Sequence, residues 1–164
     1  MRLRYVLVLN FVLAILWSAF QQSWDPANFM IGFIVGFILL SFVRRGYGSR
    51  MVALISFVTF LLFAIVSSSI QVARYVLSPK LQLNQGIVAI PLEAETYLEV
   101  AALATAITLT PGTLSVDVGT NEEGQGVLFV HNLVMNDPDK VRHTIKQDFE
   151  RRILRATRGG ILPW

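Results

Sequence analysis

The sequence contains no cysteine, which excludes disulfides, thiol catalysis and cysteine-based metal centres. Charge is scarce as well: 15% of residues are Asp, Glu, Lys or Arg, where soluble domains carry about 25%. The shortage is concentrated in the first half. Residues 5–43 hold one charged side chain, Asp25, and residues 51–73 hold none. Water does not solvate such segments, and a 164-residue chain has too little other mass to wrap them. Within the three apolar segments there is no Asp, Glu, Lys or His away from the ends. Carrying a proton or sodium ion across a bilayer needs titratable groups or clustered oxygens at depth. Here only Asn10, Ser18, Ser41, Ser56, Thr59, Ser67, Ser68, Ser69 and Gln71 are polar, and they are scattered. The chain is therefore not an ion carrier on its own, and an accessory membrane component fits better than an enzyme or a pump.

The charge that is present is unevenly placed. Residues 1–77 carry six arginines (2, 4, 44, 45, 50 and 74) against Asp25, and residues 78–164 carry eight Lys/Arg against ten Asp/Glu. The net charge of +3 thus comes from arginines flanking apolar segments, the pattern of headgroup anchors and not of nucleic-acid binding. A cleaved leader over residues 1–20 is disfavoured. The run stays bulky through Phe20, lacks a small-residue cleavage site and leads into a second apolar run of similar length.

The pattern predicts membrane helices near 5–21, 28–43 and 51–77, in a membrane region of residues 1–80. The first two form a hairpin turning at Asp25-Pro26, a cap and helix-start signal. Trp17, Phe20 and Trp24 cluster at that turn like an interfacial belt. Arg2, Arg4, Arg44, Arg45 and Arg50 gather at the opposite end, which the positive-inside rule assigns to the cytoplasm. Gly32 and Gly36 form a small-xxx-small pair suited to close helix packing. The third segment turns polar through Ser67–69, Gln71 and Arg74. Three full crossings from a cytoplasmic start put the tail outside; an incomplete third crossing, or an external start, puts it inside.

Residues 81–164 read as a small α+β domain in the order β-α-β-β-α. A strand at 86–90 precedes a helix at 95–109 that is apolar nearly all round beyond Val100 and stops at Thr110-Pro111-Gly112. Leu114, Val116 and Val118 alternate with Ser115 and Asp117 as a half-buried strand, and 127–133 returns as its hairpin partner. Asp137-Pro138 opens a last helix with Val141, Ile145, Phe149 and Ile153 on one face, ended by Gly159-Gly160.

The stretch AITLTPGTLSVDV at 106–118, followed by LFVH at 128–131, resembles the E component of the Mrp-type multisubunit monovalent cation/proton antiporters. Asn10-Phe11, Ile15-Leu16-Trp17 and NFMIGFIVG at 28–36 fit the same family's opening hairpin, so the resemblance covers nearly the whole chain. It implies membership in a hetero-oligomeric cell-membrane complex that exchanges sodium, potassium or lithium for protons. Larger subunits would carry the ions, and this one would serve assembly or structure with a cytoplasmic soluble domain. A stand-alone membrane-anchored binding or regulatory domain is the alternative.

Candidate site residues are few. Thr108, Thr110, Pro111, Gly112 and Thr113 read as a structural helix-to-strand turn whose hydroxyls bond free backbone groups; no helix start or lysine follows to make a phosphate loop. His131 and His143 are too far apart in sequence for a ligand motif, so no metal or cofactor is expected. Asp117, Glu122 and Glu123 do not match a calcium loop. Arg151, Arg152, Arg155 and Arg158 suit a helix carboxyl end, or, with Arg44, Arg45 and Arg50, contact anionic headgroups or an acidic partner. No catalytic triad, nucleotide loop or carboxylate pair is recognisable.

Overall fold

The computed structural model describes residues 3–43, 46–79 and 83–158. Helices α1 (Leu3–Phe20) and α2 (Pro26–Val43) pack antiparallel, with Trp17 near Asn28 at one end and Val6 near Leu40 at the other. Asp25 starts α2 by accepting the Asn28 backbone N–H at 2.8 Å, and the Ser23 hydroxyl donates to its other oxygen at 2.6 Å. Those donors hold its carboxyl below the ordinary carboxylate range, the Ser23 hydroxyl most of all. Eighteen residues rise about 27 Å, close to the thickness of a hydrocarbon core.

Helix α3 (Tyr47–Val76) begins four residues earlier than its apolar run predicts, because Gly46 at φ 92° turns the chain directly into it. Both α2 and α3 are long and apolar enough to cross a bilayer, and α1 carries a shorter apolar stretch, Tyr5–Phe20. Arg44, Arg45 and Gly159-Gly160 lie outside the described residues.

Three antiparallel strands follow: β1 (Gly86–Pro91), β2 (Thr113–Thr120) and β3 (Gly126–Asn132), in spatial order β1-β3-β2. Helix α4 (Tyr97–Leu109) lies between β1 and β2 in sequence. Helix α5 (Pro138–Thr144) runs through a π-helical turn, Ile145–Glu150, into α6 (Arg151–Arg158). One sheet face supplies Val88, Ile90, Leu128 and Val130 to a core shared with Leu103, Ala106 and Ile107 of α4 and with Ile145, Phe149 and Ile153.

Two details differ from the sequence pattern. Leu114, Val116 and Val118 on β2 are each about half exposed, while Ser115 turns inward and its hydroxyl donates to Ala104 O at 3.0 Å. The cause is register: Ser115 sits opposite the buried Val130 of β3, and a shift between Ser115 and Asp117 breaks the alternation beyond it. The π turn is the second difference. Apolar residues spaced by four drift about 40° per step around a 3.6-residue helix. A wider turn takes up that drift and keeps Ile145, Phe149 and Ile153 on the core.

Candidate functional site

The sequence-predicted residues fall at three seams. At the first, Gly32 and Gly36 both face α1. A Cβ on Gly32 would lie 2.8 Å from Trp17 Cβ, and one on Gly36 would overlap the Asn10 carboxamide oxygen. The glycines therefore set the α1–α2 spacing within this chain. Asn10 and Ser18 are fully buried along it, Phe11 packs edge-on against Phe33 at 5.3 Å, and Trp17 Nε1 donates to Asn28 Oδ1 at 3.2 Å.

The second seam is the ITLTPGT turn. Ile107 O accepts from the hydroxyls of Thr110 and Thr113, both at 2.6 Å, and the Ser115 N–H donates to Thr108 Oγ1 at 3.2 Å. The two hydroxyls thus bond the Ile107 carbonyl near the end of α4, and Thr108 gives an acceptor to an N–H of β2. Gly112 has φ +91°, and a Cβ there would sit 3.3 Å from Val72 on α3. A left-handed turn pressed against a helix needs glycine on both counts.

The third seam joins α3 to the domain. Phe57, Phe60, Leu61 and Ala64 of α3 pack onto the same core as the strands. Phe60 meets Phe149 edge-on at 5.1 Å, and the Arg152 guanidinium lies over the Phe60 ring at 4.5 Å. Arg152 also donates to the Ser56 hydroxyl, and Arg50 donates to Arg158 O at 2.8 Å. The side of α3 bearing Val52, Ile55, Val58, Leu62, Phe63, Val66 and Ile70 is exposed.

The family model MNHE, described as Na+/H+ ion antiporter subunit, matches this sequence over residues 10–156. This chain belongs to that family. It is 34% identical to the Na(+)/H(+) antiporter E component of Alkalihalophilus pseudofirmus, over 94% of this chain and 99% of that one. Against the protein of the same name in Bacillus subtilis it is 30% identical, with the same coverage of 94% and 99%. Among solved structures it is similar to a chain of the membrane-bound sulfane sulfur reductase, an archaeal respiratory membrane complex. That match has a TM-score of 0.56 and 29% identity, over 93% of this chain and 96% of that one.

The arginines of this antiporter-family member divide into two groups. Arg158 is committed inward: its guanidinium donates through two nitrogens to the Glu99 carboxylate, each at 2.9 Å, and to Glu93 O. Arg152 is taken by Phe60 and Ser56. Arg151 and Arg155 join no ion pair among the described residues.

Glu99 itself carries no signal in a search for catalytic patterns. Thr96 caps α4 by accepting the Glu99 N–H, and Glu99 Oε2 accepts from the Glu95 and Thr96 N–H groups. The Thr157 hydroxyl adds a bond at 2.8 Å. Arg158 above all, with these donors, holds the buried Glu99 carboxyl down at about 2. The T-x-x-E spacing at 96–99 before an apolar run was its available signal. Glu150, also buried, accepts the Glu93 and Ala94 N–H groups at 2.6 and 2.9 Å, which ties β1's exit to the π turn. Among the described residues no three His, Cys, Asp or Glu side chains gather as a metal site. The arrangement joins elements.

Proposed function

We propose that this chain is an accessory component of a multisubunit membrane antiporter exchanging sodium, or potassium or lithium, for protons, and that it holds neighbouring subunits and does not move ions. The carrying observation is the match to the E components of Na(+)/H(+) antiporters over nearly their full length. A second supports the structural role. A chain of comparable sequence serves in a membrane-bound sulfane sulfur reductase, so the shared part is not tied to one chemistry. The buried polar groups of the α1–α2 seam, Asn10 and Ser18, are neutral and face a neighbouring helix, which suits packing and not proton transfer.

In this reading α1 and α2 cross the membrane and α3 does not. A helix that presents Phe57, Phe60, Leu61 and Ala64 to a domain core and an apolar face to the opposite side suits the bilayer surface. Two crossings return the chain to the side where Arg2, Arg4, Arg44, Arg45 and Arg50 gather, so the domain is cytoplasmic. The working division then falls before α3 and not after residue 80. Arg151 and Arg155 remain for contact with headgroups or an acidic partner.

Deletion of the chain is expected to sensitise cells to sodium and alkali, and affinity purification in mild detergent to bring down several other membrane proteins. Proton-coupled sodium flux by the lone chain in liposomes would overturn the role. Absence of native cysteine simplifies the topology test: Glu123→Cys, on the exposed β2–β3 turn, is expected to react only with reagent admitted to the cytoplasm. Labelling from outside intact cells would overturn the placement.

A further inference from the structure

The first turn of α3 makes two contacts that point to different parts of the molecule. Tyr47 is turned to the hairpin. It is 3% exposed and closes a small cluster with Val6 of α1 and Leu40 of α2, with Leu7, Leu13 and Phe37 packed around them. Its ring lies 5.4 Å from that of Phe37, and its hydroxyl accepts from Asn10 Nδ2 at 3.4 Å. That bond is long, so burial of the ring, roughly 150–250 Å² for an aromatic side chain, does most of the holding. Three residues on, Arg50 is turned to the domain, where its guanidinium donates to Arg158 O at 2.8 Å. Arg158 in turn grips the Glu99 carboxylate through two nitrogens.

The chain around this turn has little room to move. Gly46 has φ +92°, and a Cβ on Gly48 would lie 3.3 Å from Ser41 Oγ on α2. Outside itself the hairpin packs mainly on α3 among the described residues. Farther along, Phe57, Phe60, Leu61 and Ala64 already fasten α3 to the domain core. The freedom of the domain relative to the hairpin therefore lies at the first turn of α3. We infer that this corner is a rigid elbow, with Tyr47 as the pin that fixes the direction of α3, and of the domain it carries, against the hairpin. Asn10 makes the seam part of the device, because it is the same side chain that Gly36 admits: a Cβ on Gly36 would overlap its carboxamide oxygen. The α1–α2 spacing, Asn10, Tyr47 and the direction of α3 form one chain of contacts, and close-packed contacts transmit displacement. A subunit that tilts the hairpin then swings the domain, and a load on the domain bears on the hairpin in return. The elbow works whichever side of the bilayer the domain faces, so it stands or falls apart from the Glu123→Cys topology test.

The test is double electron–electron resonance on the full chain in detergent micelles, where no flat bilayer steadies α3. Spin labels go on Trp24→Cys, at the exposed far turn of the hairpin, and on Glu123→Cys, at the exposed β2–β3 turn; the chain has no other cysteine. Both positions are far from the elbow in sequence, so a small change of angle there moves the labels apart. One narrow distance distribution is expected. Tyr47→Ala is expected to replace it with a broad one, and Gly36→Ala to shift or broaden it. Tyr75→Ala, the same change near the other end of α3, is expected to leave it unaltered. A broad distribution with Tyr47 in place, a narrow one surviving Tyr47→Ala, or equal broadening in Tyr75→Ala would each overturn the proposal. Amide exchange of β1–β3 checks that the domain stays folded. Should Tyr47→Ala lose that protection, Gly36→Ala decides the matter, and an unchanged distribution there overturns the elbow.

Discussion

The α1–α2 hairpin and the sheet domain solve the same packing problem in opposite ways. Along the hairpin seam the chain uses absence of volume: Gly32 admits Trp17 and Gly36 admits Asn10. Polar groups buried there are neutral, and the Asn10 carboxamide oxygen and Ser18 hydroxyl have no partner among the described residues. The domain instead buries the acids Glu99 and Glu150: donors surround Glu99, and one oxygen of Glu150 takes two backbone N–H groups. A helix pair in lipid gains nothing from excluding water, so close approach of backbones does the holding. A domain in water gains from burial and can use paired charge to fix which elements meet.

The contrast breaks most visibly at Glu99. Glu99→Ala removes the acceptor for Arg158, Thr157 and two backbone N–H groups together. Loss of a buried partner costs about 3–5 kcal/mol, and the low end applies because the Arg158 side chain is 36% exposed. Denaturant unfolding of the purified chain in detergent, followed by amide hydrogen exchange of β1–β3, measures it. The same group gives a pH signature. In the folded chain the carboxyl ionises near 2, against an ordinary 4.5, so the folded state binds fewer protons between those values. The stability it confers is present above about pH 4.5 and is lost as pH falls toward 2. Melting temperatures at pH 7, 4.5 and 3 should show that loss, and Glu99→Gln should flatten it.

Next in size is Phe60→Ala, which cuts α3 from the domain. It removes the ring that Phe149 and Arg152 both contact, and large-to-Ala changes in cores cost about 3–5 kcal/mol, so about 2 kcal/mol is expected at this partly buried position. Protease sensitivity between α3 and β1 should rise with it. In the hairpin, Gly36→Ala is expected to cost about 1–2 kcal/mol, because the added methyl meets Asn10 and the helices must part. A disulfide between cysteines engineered at Val6 and Leu40, which face each other across the seam, should form more slowly in that variant. An unchanged rate would mean that Gly36 does not set the spacing.

Much of this architecture was legible in the chain. Uncharged runs gave the helices, Asp25-Pro26 and Asp137-Pro138 gave two helix starts, and the return of an apolar run at 127–133 gave a strand hairpin. What escaped depends on tertiary context. The α3 stripe of Phe57, Phe60, Leu61 and Ala64 has the same residue types as the opposite face, so composition does not tell a core-facing side from an exposed one. Glu99 and Arg158 are 59 residues apart, and no local spacing joins them. The inward turn of Ser115 required knowing its register against Val130 of β3. Asn10 and Ser18 were visible as polar residues in an apolar run, but not that they share the seam with the glycines.

The smallest effect sharpens the comparison instead of breaking it. Thr96→Ala in the domain and Trp17→Phe in the hairpin each delete one side-chain hydrogen bond, Thr96 Oγ1 with the Glu99 N–H and Trp17 Nε1 with Asn28 Oδ1. The cap lies in water, where losing a threonine cap costs about 1 kcal/mol. The indole bond lies between helices, where such bonds average about 0.6 kcal/mol. Trp17→Phe also shortens the side chain, but the Cβ that abuts Gly32 is kept, so the seam stays closed. If the hairpin is held by shape, Trp17→Phe should leave the Val6–Leu40 disulfide rate within about twofold of wild type while Gly36→Ala slows it clearly. A larger effect from Trp17→Phe than from Gly36→Ala would show that the polar bond holds the two helices and that the glycines are only permissive.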